Sequence, residues 1–255
     1  MRTQFQPLIV CYHALSERWE HALAVRPETF ARQLRILLGR GFRPAAAREV
    51  VEGHGRLLHV TFDDAFRSIA LALPVLERLR VQATVFVCPA YADGGQVFAV
   101  PELAAHAREH PDELATMDWG MLRDLVERGV EIGSHTVTHP HLTTLQEDAL
   151  ARELRESRQR LEDELRRPCT LLSYPYGEQD ARVRKAARTA GYDAAFALPG
   201  IDRPPDRFAL PRVGVYQADG DLRFRIKTSR ARRPVGALWH LARGRAAAFS
   251  ARARR

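Results

Sequence analysis

At 255 residues with 45% hydrophobic content, the chain can bury one large core, and this fits better than two small ones. It contains no run of 18 apolar residues, which excludes a spanning helix, and no basic-then-apolar leader, so an unprocessed cytoplasmic protein is expected. The net charge of +8 is local: nine of the 39 Lys and Arg and none of the 31 acids fall in residues 227–255, leaving 1–226 close to neutral.

In chain order, short apolar runs at 8–12, 57–62, 83–88, 130–133, 170–174 and 193–198 alternate with helix-period segments, and 208–215 is a candidate seventh. Runs this short and continuous predict parallel strands covered on both faces. Phe30, Leu34, Leu37 and Leu38 mark one helix stripe, opened by Pro27-Glu28 and closed by Gly39 and Gly41; Leu150, Leu154, Leu161 and Leu165 mark another. Residues 91–100, with Asp93-Gly94-Gly95, read as an inserted loop. The alternation predicts an α/β fold with a parallel sheet, and about seven strands favour its closure into a (β/α) barrel. Cys11, Cys88 and Cys169 are odd in number and lie in or beside apolar runs, which predicts buried reduced thiols.

Three polar clusters stand at the ends of predicted strands, where α/β folds place their sites. The first is Thr61-Phe62-Asp63-Asp64. Its two carboxylates point apart if the strand continues and share a pocket if the chain turns; a plain polar loop is the competing reading. The second is Gly133-Ser134-His135-Thr136-Val137-Thr138-His139-Pro140-His141, in which His135 and His139 fall on one side of a helical turn or a bent loop. Two neutral imidazoles and a carboxylate are a usual ligand set for catalytic zinc, with a position left open for water; His141 reads as a neighbour. The third is Ser173-Tyr174-Pro175-Tyr176-Gly177, a turn able to present a backbone N–H.

Together and in this order, the clusters resemble the polysaccharide deacetylase family (NodB homology domain, carbohydrate esterase family 4) over about residues 8–227. Ala83-Thr84-Val85-Phe86-Val87, Trp119 before a helix, and Leu210-Pro211-Arg212 support the resemblance. It implies a distorted (β/α) barrel, with Asp63 as general base and Asp64, His135 and His139 as ligands of a divalent metal, Zn2+ by ligand type. It further implies that the Tyr176 backbone N–H stabilises the oxyanion.

The chain departs from the family pattern in three places. The usual C-terminal Leu-x-His would have to be Leu238-Trp239-His240, inside the basic tail, so His13 of Cys11-Tyr12-His13 is the better candidate for general acid. It resembles the Tyr-His of a subgroup with circularly permuted motifs. Ser173 replaces the Arg of the third motif, and Arg212, ending the seventh run, is the candidate to orient Asp63. Ala65 replaces the Gly that often follows the Asp pair, which disfavours a left-handed turn there.

The implied activity is metal-dependent removal of acetyl groups from N-acetylated sugars of an exopolysaccharide, an envelope glycan or a lipid-linked precursor. Hydrolysis of another amide, such as a formamide or cyclic imide, and glycan binding without turnover are the alternatives. Residues 1–226 are expected to form the catalytic domain and 227–255 a basic tail. With Leu238, Trp239, Leu241 and Phe249, that tail reads either as a peripheral contact with the inner face of a membrane or as a solvated terminus. Nucleic acid is not an expected partner, because no recognition motif accompanies the charge.

Overall fold

The computed structural model describes residues 7–53, 55–198 and 206–229. From the N-terminus, β1 (Leu8–Tyr12) leads into a loop with two short paired strands, β2 (Ala14–Leu15) and β3 (Ala24–Val25), and then α1 (Pro27–Gly39). β4 (Arg43–Pro44) and α2 (Ala47–Glu52) precede β5 (Leu57–Phe62), which is followed by α3 (Leu73–Leu79) and β6 (Ala83–Val87). The inserted segment carries α4 (Ala104–Glu109), and α5 (Trp119–Glu127) returns the chain to β7 (Glu131–Ser134). There follow α6 (Glu147–Leu165), β8 (Leu171–Ser173), α7 (Ala181–Thr189), β9 (Ala194–Ala197), β10 (Leu210–Pro211), β11 (Val213–Gly214) and α8 (Asp221–Lys227).

Local chemistry accounts for the long helices. Pro27 opens α1 with Glu28 in the first turn, where its charge suits the helix dipole, and Phe30, Leu34 and Leu37 form the buried stripe. α6 buries Leu150, Leu154, Leu161 and Leu165 together with Ser157, while its other positions are mostly charged. Each such side chain, fully buried, contributes about 1.5–3 kcal/mol.

The main sheet is parallel throughout, in the order β10-β9-β8-β7-β6-β5-β1-β11, with β4 paired to the start of β5. The two ends of that order, β10 and β11, are separated in the chain by Arg212 alone. Leu210 and Pro211 pair with β9, and Val213 with Gly214 pairs with β1, so one five-residue segment joins both edges and closes the barrel. The predicted run 208–215 is therefore two short strands rather than one. Pro211 has no N–H to offer a continuing ladder, and the Arg212 N–H goes instead to the Ala197 carbonyl at 3.2 Å.

Side chains alternate along the strands. Leu8, Val10, Tyr12, Leu58, Val60 and Phe62 pack outward in the large core under the helices. Ile9, Leu57, Phe86, Leu171, Ala194 and Phe196 fill a smaller core within the barrel. Above that apolar floor, the inward positions turn polar: His59, Thr61 and Asp63 on β5 and just beyond it, Cys11 on β1, Ser173 on β8. Cys11, Cys88 and Cys169 are all buried and free. At the other end of the chain, α8 is followed by Thr228, which is buried and accepts from Arg40 at 2.7 Å. The stretch 230–255, including His240 and most of the basic tail, lies outside the described residues.

His59 is 1% exposed, with Nδ1 2.8 Å from the Ala45 carbonyl and Nε2 2.9 Å from the Thr84 hydroxyl. Burial pushes its pKa down to about 4, although the Ala45 carbonyl pulls partly back. A base depressed on folding binds its proton better when unfolded. Its contribution is thus complete above about pH 6.5 and is lost as pH falls towards 4, by about 3 kcal/mol. His59→Asn keeps a donor for Ala45 and does not titrate. Urea unfolding at pH 7 and pH 4.5 should show wild type losing on the order of 2 kcal/mol more than this variant; parallel losses would remove His59 as a source of acid sensitivity.

Candidate active site

Two consecutive carboxylates reach one pocket because the chain turns immediately after β5. Asp64 has φ 68° and Ala65 φ 50°, both in the left-handed region. The expectation from Ala65 is therefore corrected: the left-handed turn forms without glycine, at a cost of about 1–2 kcal/mol. Ala65 is buried and its carbonyl accepts the Met117 N–H at 2.8 Å, so tertiary contacts hold the conformation. Thr136, His139 and Tyr176 are left-handed too. Five of the seven non-glycine residues with positive φ among the described residues thus gather at this pocket, as strained backbone does at functional sites.

His135 follows β7 directly. Its Nδ1 lies 2.8 Å from the Ser173 carbonyl, which fixes the proton there and leaves the Nε2 lone pair facing inward. That Nε2 is 3.5 Å from Asp64 Oδ1, and His139 Nε2 is 3.6 Å from the same oxygen. Asp64 Oδ1 is buried and has no hydrogen-bond partner. Donors sharing a tetrahedral zinc-class ion lie roughly 3.3 Å apart. The three atoms are spaced to surround a cation together rather than to bond one another. Burial, then the neighbouring Asp63, pushes the Asp64 carboxyl well up, and burial holds both imidazoles below their ordinary pKa. Neutral imidazoles are the ligand form, and a divalent cation would restore the Asp64 carboxylate. The residues fit a metal of the zinc class.

The loop between the two histidines is tied down by Glu153 on α6. One oxygen accepts the Val137 and Thr138 N–H groups at 2.7 and 3.0 Å; the other accepts the Thr138 hydroxyl at 2.7 Å. Sequence reasoning missed Glu153. In Glu153→Gln one acceptor becomes a donor, and zinc affinity should weaken about 10–100-fold, as for other groups that orient metal ligands. Competition with a chromophoric chelator measures this, and unchanged affinity would make Glu153 a tie of the loop alone.

Asp63 is 2% exposed and faces a guanidinium in bidentate geometry: Arg212 Nη1 to Oδ1 at 2.7 Å and Nη2 to Oδ2 at 2.8 Å. Arg212 also donates to the Ser173 hydroxyl at 2.7 Å and to Thr61 at 3.1 Å. The Cys11 thiol and Ser173 hydroxyl approach Asp63 Oδ2 at 3.4 Å. Burial pushes this carboxyl up, but Arg212, His135 and His13 together pull harder and hold it well below the usual range. Where the third motif lacks its Arg, the small Ser173 leaves room for a guanidinium arriving from the β10–β11 junction.

His13 comes to the same pocket, with a ring nitrogen within 4.8 Å of Asp63 and Cys11. Its ring stacks on Tyr216 at 6.3 Å, its Nδ1 is buried without a partner, and burial lowers its pKa to about 4. Tyr176 sits at φ 58° between Pro175 and Gly177. A Cβ on Gly177 would collide with the Leu198 backbone, so only glycine fits this turn. The Tyr176 ring meets His139 edge-on at 4.6 Å, and its hydroxyl donates to Glu102 at 2.9 Å. His141 stacks on Tyr176 at 3.9 Å and bonds Glu178, outside the cluster of Asp64, His135 and His139.

A family model described as polysaccharide deacetylase matches residues 51–195. The chain is 28% identical over 178 residues to the chitooligosaccharide deacetylase of Rhizobium leguminosarum bv. trifolii, spanning 65% of this chain and 72% of the relative. It is 24% identical over 217 residues to YxkH of Bacillus subtilis (strain 168), a protein whose name assigns it to the polysaccharide deacetylases, spanning 81% of this chain and 70% of the relative. In fold it is similar to IcaB from Ammonifex degensii, with a TM-score of 0.72 and 22% identity over 90% of this chain and 97% of that one. The Streptococcus pyogenes deacetylase PplD, solved in complex with acetate, superposes with a TM-score of 0.70 and 18% identity over 89% and 98%.

Proposed function

The chain belongs to the polysaccharide deacetylase family, hydrolases of N-acetyl amide bonds, and from this premise we propose that it is a metal-dependent N-deacetylase of N-acetylated sugars. The sugars would belong to an exopolysaccharide, an envelope glycan or a lipid-linked precursor. One observation carries the reading: two imidazole Nε2 atoms stand 3.5 and 3.6 Å from an unpartnered Asp64 oxygen, with the Asp63 carboxylate beside them. The likeness to a chitooligosaccharide deacetylase supports a glycan substrate.

Amide hydrolysis needs an activated water, a stabilised oxyanion and a proton for the departing amine. A zinc-class ion held by Asp64, His135 and His139 would supply Lewis acidity and an acidified water when bound. Asp63 is the base, kept ionised and fixed in plane by Arg212, and takes the proton from the attacking water. The Tyr176 N–H is the backbone donor to the oxyanion. His13 is the acid; its ring is neutral at rest, so it must gain a proton during the cycle, and Asp63, within 4.8 Å, can pass on the one it takes from the attacking water. Arg212 is a positioning residue, since its contacts run through Asp63.

The test is acetate release from N-acetylglucosamine oligomers by the purified chain. Release should stop with a chelator and return when zinc is restored. Zinc-loaded protein that releases no acetate would sink the oligosaccharide reading.

A further inference from the structure

Outside the catalytic pocket, the described residues hold one more group of side-chain donors at ligand spacing. We infer that His106, Glu109 and His110 form a second metal site, which takes one divalent cation of the zinc class.

The run His106-Ala107-Arg108-Glu109-His110 places its three donors at offsets of three and four, which share one face of a helical turn. His106 and Glu109 lie in the last turn of α4, and His110 follows as its C-cap, held over that turn by its N–H bonding the His106 carbonyl at 2.7 Å. One ligand atom from each side chain lies within 4.8 Å of the others, as in the catalytic cluster. Two imidazoles and a carboxylate form the same donor set as Asp64, His135 and His139, and suit zinc, nickel or copper above magnesium or calcium.

A second observation concerns His106 itself. Its Nδ1 is buried and has no hydrogen-bond partner, and leaving such a group unsatisfied costs stability. A cation bound by this nitrogen would cancel the cost. The ring is also fixed before any ion arrives. It packs edge-on against Trp19 at 6.1 Å and His21 at 4.6 Å, and lies stacked 6.2 Å from the His110 ring. Only the exposed Glu109 and His110 have rotamer freedom to lose.

His21 is a wall of the site rather than a ligand. Its Nδ1 accepts the Leu23 N–H at 3.3 Å, so its proton sits on Nε2. A bound ion would stiffen α4 where the inserted segment meets the loop between β2 and β3.

The test uses the untagged full-length chain, stripped with chelator and titrated with Zn2+. Wild type should bind two equivalents. His135→Ala, which removes a ligand of the catalytic cluster, should keep one. Adding Glu109→Gln or His110→Ala to that background, both at exposed positions with little effect on folding, should weaken the remaining equivalent at least about 10–100-fold. No zinc retained by His135→Ala would overturn the proposal. Retained zinc indifferent to both surface substitutions would overturn it equally, because the ion would then be bound elsewhere in the chain. Stoichiometry is read in a protein already deprived of its catalytic cluster, so the outcome is independent of the deacetylase reading.

Discussion

Asp63→Asn should lower amide hydrolysis about 10²–10⁴-fold with zinc still bound, while His13→Ala should lose amide turnover yet keep activity on a nitrophenyl ester. Asparagine has the shape of aspartate and can still accept from Arg212, but it cannot take a proton from water. The Asp63 carboxylate lies 3.9 Å from His135 Nε2 and its oxygens are engaged by Arg212, so its loss removes none of the proposed ligands. His13 differs in kind. An amide nitrogen leaves only when protonated, whereas a nitrophenolate leaves unaided. Acetate release from N-acetylglucosamine oligomers and absorbance from nitrophenyl acetate separate the two roles. Equal loss on both substrates in His13→Ala would make that residue structural.

Arg212→Met should destabilise the fold by about 3–5 kcal/mol, the usual consequence of stripping a buried ion of its partner. For a domain of this size that lowers Tm by on the order of 10 °C. The double variant Asp63→Asn with Arg212→Met should recover much of the loss, because no charge is then left buried. The pH dependence has a definite sign. In wild type the Asp63 carboxyl is depressed on folding, so its contribution is present above about pH 4 and is lost as pH falls through the lower folded value. Without Arg212, burial is opposed only by the weaker pull of His135 and His13, and the carboxyl rises. The variant's deficit should therefore be widest at neutral pH and narrow as pH drops below about 4. Calorimetry across that range reads it, and a deficit constant with pH would mean that the guanidinium acts through packing alone.

The barrel was readable where burial alone dictates residue type. The runs at 8–12 and 57–62 coincide with β1 and β5 because strands covered on both faces are written as unbroken apolar stretches. His135 and His139 were readable because donor type and spacing are local. Whether Asp63 and Asp64 share a pocket was not. The turn after Phe62 needs left-handed backbone at Asp64 and Ala65, and Ala65 signals the opposite; contacts such as the Met117 N–H decide it. The division of 208–215 at Arg212 was equally hidden, since pairing with β9 on one side and β1 on the other is a property of the closed sheet. Glu153 is one of seven acids on α6, and nothing local distinguishes it from the six that do not face the histidine loop.

The segment 210–214 has a consequence for how the protein is made. Arg212 lies 149 positions beyond the carboxylate it neutralises. A chain emerging from the ribosome N-terminus first can lay down β1 and β5 to β9 as an open sheet, and domains do begin to fold during synthesis. Until the last strands emerge, however, both edges remain unpaired and Asp63 has no counter-ion. Closure is the most non-local pairing in the sheet, and the entropy of bringing such distant residues together must be met before the contact rewards it. The same few residues then seal the wall and neutralise the carboxylate. A nascent chain that stops short of Leu210 is therefore an open sheet with an unbalanced charge inside it, and the working pocket comes into being in a single late event.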